Sequence, residues 1–228
     1  MEKKVYIKNL LFCVKNNIYI IHIYIYMISS YRLGDLVLLA NLKQSEENEI
    51  LTEHPNSIGS KFILQKRNNY CYSRNNIDLI TNIVMENIEQ NAHLLPKNIT
   101  ESILIHLRLG DVIGGNEWHE KLKRPLEVNY IKSLVANDNS QKYVIGKCFF
   151  ANASSKNYEE CIHLSNEYLQ NVINELDAEY FNSGNADIDL YCAVKSKLFI
   201  QGRGFFSKLI VEIRKNLNLK SIETTTHD

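Results

Sequence analysis

The chain has 228 residues, and its 26 Lys and Arg side chains balance its 26 Asp and Glu side chains, so the formal net charge is zero. With 45% apolar residues, a chain of this length can bury a core as one large domain or two small ones. The charge balance argues against nucleic acid as a partner and against binding of an anionic membrane through bulk charge. A local anion pocket needs only a few arginines and stays open.

The five cysteines are scattered along the chain and form no C-x-x-C pair. An odd number at irregular spacing argues against a disulfide framework and against a structural zinc site. The sequence therefore predicts a protein of a reducing compartment, and we expect it to be cytoplasmic.

An apolar run, I-Y-I-I-H-I-Y-I-Y-M-I, covers residues 18–28. It is too short to cross a membrane as a helix, and its β-branched and aromatic residues favour a buried strand. We therefore expect no stable membrane insertion, with a weak signal anchor as the alternative interpretation. Residues 1–26 could also be an extension upstream of the native chain, because Met27 is a plausible start.

The first half of the chain has few clear patterns. Residues 29–42 read as a strand, a turn at Gly34 and a helix, whereas the polar segment 44–56 has no clear period. Residues 77–88 carry apolar side chains at helical spacing and predict an amphipathic helix. A loop at 94–98 follows, so we expect a small N-terminal α/β region over 1–97 and a second domain over 98–228.

From residue 102 onward, strand and helix patterns alternate. The predicted strands are 103–109, 143–150, 180–181 and 197–200, and the predicted helices are 128–135, 158–176, 188–194 and 206–217. This alternation predicts an α/β fold whose C-terminal half is a Rossmann-like parallel sheet. In such sheets ligands bind at the carboxyl ends of the strands.

The stretch I-H-L-R-L-G-D, residues 105–111, places polar groups at the end of the first of these strands. Strand alternation puts His106 and Arg108 on one side and the apolar residues on the other. A guanidinium at a strand's carboxyl end suits a phosphate or diphosphate bound through two parallel hydrogen bonds. The alternative is a buried pair of Arg108 with Asp111 that only holds the turn.

A second polar stretch runs from Asp187 and Asp189 through a strand into the glycine-rich loop G-R-G-F-F-S at 202–207. Gly202 and Gly204 let a ligand approach the backbone, and the N–H groups of the helix that follows attract anions. Taken alone, the loop is explained equally well as a tight strand-to-helix turn. Two anion-friendly strand ends in one parallel sheet would face the same crevice, and this favours a ligand site.

The stretch I-H-L-R-L-G-D resembles the H-x-R-x-G-D motif of the α-1,2, α-1,6 and protein O-fucosyltransferases, which use GDP-fucose. The stretch P-L-E-V-N-Y at 125–130 and the order of features in 187–207 are also similar, so the resemblance covers residues 100–217. It implies a donor domain like that of GT-B glycosyltransferases. The implied reaction is an inverting, metal-independent transfer of a 6-deoxyhexose, fucose, from a GDP-sugar to a glycan hydroxyl, with no cofactor.

The resemblance also implies roles for individual residues. Arg108 would hold the donor diphosphate and act in catalysis, His106 would line the same pocket, and Asp111 would contact the acceptor or brace the arginine. Asp189, or Asp187, would contact the guanine or ribose edge of the donor. The phosphates would be contacted by Ser207, by the backbone of the loop with Gly202 and Gly204, and by Lys147. Leu109 stands where the α-1,2 type has a second basic residue, and Arg203 could replace that charge.

Asp187 and Asp189 also form a D-x-D pair, a pattern that holds Mn²⁺ or Mg²⁺ in metal-dependent glycosyltransferases. Here the pair precedes an apolar helix rather than a strand-end loop. We therefore expect no metal site.

The loop after Asp111 holds three acceptor-side candidates, Glu117, Trp118 and His119. A carboxylate or imidazole there could deprotonate an acceptor hydroxyl, and the indole could stack on a sugar; the alternative is an exposed loop. Residues 1–97 are few for a complete acceptor domain, so a second copy of the chain or another partner chain could complete that site. The alternative to an active enzyme is a degenerate transferase that binds a nucleotide-sugar or glycan without turnover.

Overall fold

The computed structural model of the protein describes residues 9–14, 17–22, 33–39, 43–68, 76–110, 112–113, 125–149 and 158–224. Near the amino terminus, strands β1 (Asn9–Val14) and β2 (Asn17–His22) pair in antiparallel fashion. Strand β2 confirms the strand predicted for the first part of the apolar run. The rest of that run, residues 23–28, lies outside the described residues.

Among the described residues, three α-helices precede the sheet: α1 (Gln44–Glu53), α2 (Ile58–Asn68) and α3 (Asn76–Gln90), and a π-helical segment covers Asp35–Leu39. Helix α3 confirms the predicted amphipathic helix. Helix α1 is not predicted by the pattern, because it buries only Ile50 and so has no apolar stripe. Its start is stabilised instead by the Glu46 carboxylate, which accepts a hydrogen bond from the Lys43 N–H at 2.8 Å.

The remaining described strands are β3 (Ile103–His106), β4 (Leu109–Gly110), β5 (Lys142–Ile145), β6 (Cys148–Phe149), β7 (Glu179–Tyr180), β8 (Leu198–Ile200) and β9 (Ser221–Ile222). The remaining α-helices are α4 (Val128–Val135), α5 (Tyr158–Leu176), α6 (Ala186–Lys195) and α7 (Phe205–Asn216). Five strands form a parallel sheet in the order β7-β5-β3-β8-β9. The predicted alternation and the parallel Rossmann-like sheet are confirmed, since this is the strand order of Rossmann-type folds.

The strands predicted over 103–109 and 143–150 are each interrupted, so their predicted continuity is wrong. Strand β3 ends before Leu107 and resumes as β4, and β5 ends before Gly146 and resumes as β6, which pairs with β4. Gly146 has φ +155°, and a Cβ on it would lie 2.4 Å from the Leu107 carbonyl oxygen. The backbones at Leu107 and Gly146 therefore approach each other closely, and the pairing of the two strands is interrupted at Arg108 and Lys147.

Side chains alternate between two buried clusters on the two faces of the sheet. Ile103, Ile105 and Val144 pack with helices α4 and α5, while Leu104 and Phe199 pack with α1, α2, α3, α6 and α7. The N-terminal helices thus share one core with a face of the sheet, and a domain boundary at residue 97 stays a prediction. No helix in the described part of the chain is long and apolar enough to cross a membrane.

The Arg214 side chain on α7 is fully buried and donates hydrogen bonds to carbonyl groups at the ends of two other elements. Its Nη1 donates to the carbonyl oxygens of Ala193 (2.6 Å) and Ser196 (2.9 Å), and its Nη2 donates to that of Lys220 (2.5 Å). These carbonyls lie at the end of α6 and just before β9. One guanidinium therefore connects α6, α7 and the edge of the sheet.

Replacing Arg214 with Met should lower the free energy of unfolding by about 3–5 kcal/mol, because it leaves several buried carbonyls without donors. Urea denaturation followed by circular dichroism would measure the change. Lys215→Met is the matched control: that side chain is half-exposed, and its ion pairs with Glu212 and Glu223 should contribute less than about 1 kcal/mol. Equal losses in the two variants would contradict the structural role of Arg214.

Candidate functional site

The carboxyl ends of β3 and β8 meet at the centre of the sheet. The chain leaves β3 towards β5 on one side and leaves β8 towards β9 on the other, so the loops after these two neighbouring strands diverge. Such a divergence opens a crevice, and it is where parallel sheets bind ligands. The predicted residues His106 and Arg108 lie at or just after the end of β3, and Gly202 and Gly204 lie in the loop after β8.

His106 lies at the bottom of this crevice and is only 7% exposed. Its ring is tilted against Phe206 on α7, with 5.7 Å between the ring centroids. Burial, helped by the positive charge of Arg108, lowers the pKa of His106 to about 3, so the imidazole is neutral at physiological pH. Its Nδ1 is buried and has no hydrogen-bond partner among the described residues.

The glycines of the loop allow close contact between the two strand ends. A Cβ on Gly202 would lie 2.3 Å from the carbonyl oxygen of His106 and 2.4 Å from its Nδ1, so only glycine fits. Gly204 has φ +97° and directly precedes α7, and a Cβ there would lie 3.9 Å from Cδ of Arg108. The Arg108 side chain therefore runs beside the first backbone N–H groups of α7, where an anion is favoured.

Ser207, in the first turn of α7, holds the loop closed. Its buried hydroxyl lies 2.8 Å from the carbonyl oxygen of Gly202 and 3.2 Å from that of Gly204. Because a hydroxyl has one hydrogen to donate, these carbonyls compete for it. A phosphate contact by this hydroxyl stays a prediction, and the geometry gives Ser207 a supporting role in the loop.

Lys147 follows the end of β5, and Asp189 on α6 is near enough to act on its charge. Burial lowers the pKa of Lys147, and the negative charge of Asp189 acts in the opposite direction. Asp189 is itself buried and accepts a hydrogen bond from the Ser183 hydroxyl at 2.5 Å. The charge of Lys147 is therefore offset by a neighbouring carboxylate.

Asp187 faces another part of the protein. Its Oδ2 accepts a hydrogen bond from the Ile58 N–H at 3.0 Å, at the first residue of α2. Burial raises the pKa of Asp187, although this hydrogen bond and the charges of Lys61 and His54 act against the rise. Asp187 and Asp189 thus contact different elements and do not form a chelating pair, and Asp189 is the better candidate for a ligand contact.

Gly34 was not predicted to belong to the site, and Arg203 was predicted only as a replacement for the missing second basic residue. A Cβ on Gly34 would lie 2.2 Å from the Phe205 carbonyl oxygen, so the segment before the N-terminal helices packs directly on the start of α7. Arg203 has a buried Nε with no hydrogen-bond partner among the described residues. A glycine signal was visible at position 34, but nothing local in the sequence indicates which distant backbone it contacts.

Four predicted site residues, Asp111, Glu117, Trp118 and His119, lie outside the described residues. The described part places the other donor-side candidates, apart from Asp187, along the carboxyl edge of the sheet. Their arrangement defines an α/β protein with a Rossmann-like sheet and a crevice flanked by arginines at its switch point. In comparisons with protein-family models and with curated proteins, the chain has no match.

Gly202→Ala should lower the free energy of unfolding by about 2–3 kcal/mol, because the added methyl group would force the loop away from His106. Urea denaturation would measure it. Gly59→Ala is the control: a methyl group on this helical glycine would lie 3.4 Å from the nearest atom, and alanine should change stability by no more than about 1 kcal/mol, favourably. Similar losses in both variants would contradict the close approach at Gly202.

Acid should reveal the burial of His106. Because its pKa is about 3 in the folded protein and about 6.5 in the unfolded chain, only the unfolded chain takes up this proton in that window. The stability that the neutral His106 contributes is present above a pH of about 6.5 and is lost as the pH falls towards about 3. His106→Asn should therefore reduce the acid-induced loss of folding free energy by several kcal/mol.

Urea denaturation at about pH 7 and about pH 4, compared between the variant and the original protein, would measure this difference. His163→Asn changes an exposed histidine on α5 and should leave the loss nearly unchanged. An equal pH dependence for His106→Asn and the original protein would show that His106 is not held neutral by burial.

Proposed function

We propose that the protein is a glycosyltransferase that moves a 6-deoxyhexose, fucose, from a GDP-sugar to a glycan hydroxyl. The observation that carries this proposal is the convergence of His106, Arg108 and the Gly202–Gly204 loop at the switch point of the sheet. His106 and Arg108 also belong to the H-x-R-x-G-D stretch through which the sequence resembles the GDP-fucose-dependent fucosyltransferases. The parallel sheet would then be a donor domain of the GT-B kind.

The electrostatics of the crevice support a diphosphate as the bound group. Arg108 supplies a permanent positive charge and a planar fork of donors, and the N-terminus of α7 beside it adds backbone N–H groups. The neutral His106 contributes hydrogen bonding without charge. Asp189 would contact the guanine or ribose edge of the donor, and Lys147, whose charge Asp189 offsets, would add a further phosphate contact.

The proposed reaction is a direct displacement with inversion. The acceptor hydroxyl oxygen bonds to the anomeric carbon while the bond from that carbon to the β-phosphate oxygen breaks, and the electron pair leaves with GDP. Arg108 stabilises the charge that develops on this leaving group, without a metal ion. The hydroxyl proton passes to a carboxylate or imidazole, for which Asp111, Glu117 and His119 are the candidates.

The parallel sheet would supply only the donor site, so the acceptor site has to be formed by other parts of the assembly. Helices α1, α2 and α3 pack on one face of the sheet and share its core, so they do not form a separate acceptor domain. We therefore propose that a second copy of the chain or a partner chain completes the acceptor site. A cytoplasmic location belongs to the same proposal, and nucleic acid is not among the expected partners.

Arg108→Ala should weaken GDP binding about a hundredfold or more, because it removes the charged fork from the crevice, while unfolding stays cooperative. Calorimetric titration with GDP measures the affinity, and a urea melt checks the fold. Arg67→Ala, which removes a guanidinium paired with Glu47 on the N-terminal helices, is the matched control and should leave GDP affinity unchanged. Loss of the fold in Arg108→Ala, with no GDP binding by the original protein, would make the arginine structural.

GDP should raise the thermal unfolding temperature of the original protein more than UDP or ADP does. The original protein should also slowly hydrolyse GDP-fucose. Binding of GDP without any turnover of GDP-fucose would favour the degenerate binding module over the enzyme. No stabilisation by any of the three nucleotides would contradict both.

A further inference from the structure

The two loops that meet at the switch point each carry an arginine. In residues 107–110 it is Arg108, and in residues 201–204 it is Arg203, between two glycines. Gly202 contacts His106, and Gly204 lies beside the Arg108 side chain, so the Arg203 backbone is held between these two contacts. Two guanidinium-bearing residues therefore flank one crevice from two neighbouring strands.

The Arg203 side chain carries a hydrogen-bond donor that has no acceptor among the residues that the structure describes. Its Nε is buried and finds no acceptor within the described part of the chain. A buried charged donor without a partner destabilises the folded protein. A ligand that supplies the acceptor would remove this cost, and the unpaired Nε therefore points to a ligand at this position. The neighbouring His106 Nδ1 is a second buried polar atom without a partner among described residues, on a side chain that is 7% exposed.

We propose that Arg203 is a second phosphate-binding residue, which together with Arg108 makes the crevice select a diphosphate over a monophosphate. This inference rests on the proposed nucleotide-sugar site and adds a residue and a selectivity to it. A diphosphate carries more negative charge than one guanidinium neutralises, and Lys147 is offset by Asp189. The Arg203 fork supplies the missing charge and two parallel donors for the second phosphate.

Calorimetric titration of the original protein and of Arg203→Gln with GDP, GMP, inorganic pyrophosphate and inorganic phosphate tests this role. Arg203→Gln should weaken GDP and pyrophosphate binding about tenfold to a hundredfold, and GMP and phosphate binding less than about threefold. Arg203→Lys should give intermediate affinity for GDP, because it keeps the charge and loses the fork. Arg67→Gln, a guanidinium removed elsewhere, should change none of the four affinities.

The outcomes separate this inference from the function on which it rests. If the original protein binds GDP but Arg203→Gln weakens all four ligands equally, or none, the role of Arg203 is wrong and the proposed function stands. If pyrophosphate selectivity depends on Arg203 while GDP binds no better than UDP or ADP, the diphosphate role stands and the guanine specificity falls. If the original protein binds neither nucleotide nor pyrophosphate, both are wrong.

Discussion

The contact between Gly202 and the end of β3 is the constraint on which the site depends. The backbones approach so closely that a methyl group at Gly202 would overlap both the carbonyl oxygen and the Nδ1 of His106. This close approach holds the His106 imidazole against the loop. It also places the Arg108 side chain beside Gly204, at the start of α7. The two strand ends can approach this closely because no side chain at position 202 separates them.

Holding the crevice in this form costs free energy, which the rest of the structure offsets. His106 Nδ1 and Arg203 Nε are buried without partners in the described residues, and each such group costs about 1–3 kcal/mol. Two apolar clusters on the faces of the sheet and the many hydrogen bonds of Arg214 stabilise the frame around them. Unsatisfied polar groups on two neighbouring strand-end loops are typical of a functional site, although His54 Nε2 and Asp187 Oδ1, elsewhere in the described residues, are also buried without partners there.

The long elements of the second half were predictable because their patterns are local. Helix α5 has the bounds that its apolar period predicts, and helix α4 begins where the sequence places it. The interrupted strands were not predictable, since the break depends on how closely Gly146 approaches Leu107 in the neighbouring strand. Helix α1 was missed for a different reason: its start is stabilised by Glu46 rather than by an apolar stripe. At the site, the sequence indicated both Asp187 and Asp189, and only packing separated them, because residues two apart on a helix face different neighbours.

The sequence by itself determined that strands and helices alternate after residue 102 and that polar motifs stand at the ends of two strands. Both properties depend on spacings of a few residues, because the geometry of a strand or helix fixes which face a side chain lies on and where the element ends. Only the tertiary structure decided that β3 and β8 are neighbours, that Gly34 packs on the start of α7, and that His106 is neutral. Strand order, close backbone contacts and burial all arise between residues far apart in the chain, so no local pattern records them.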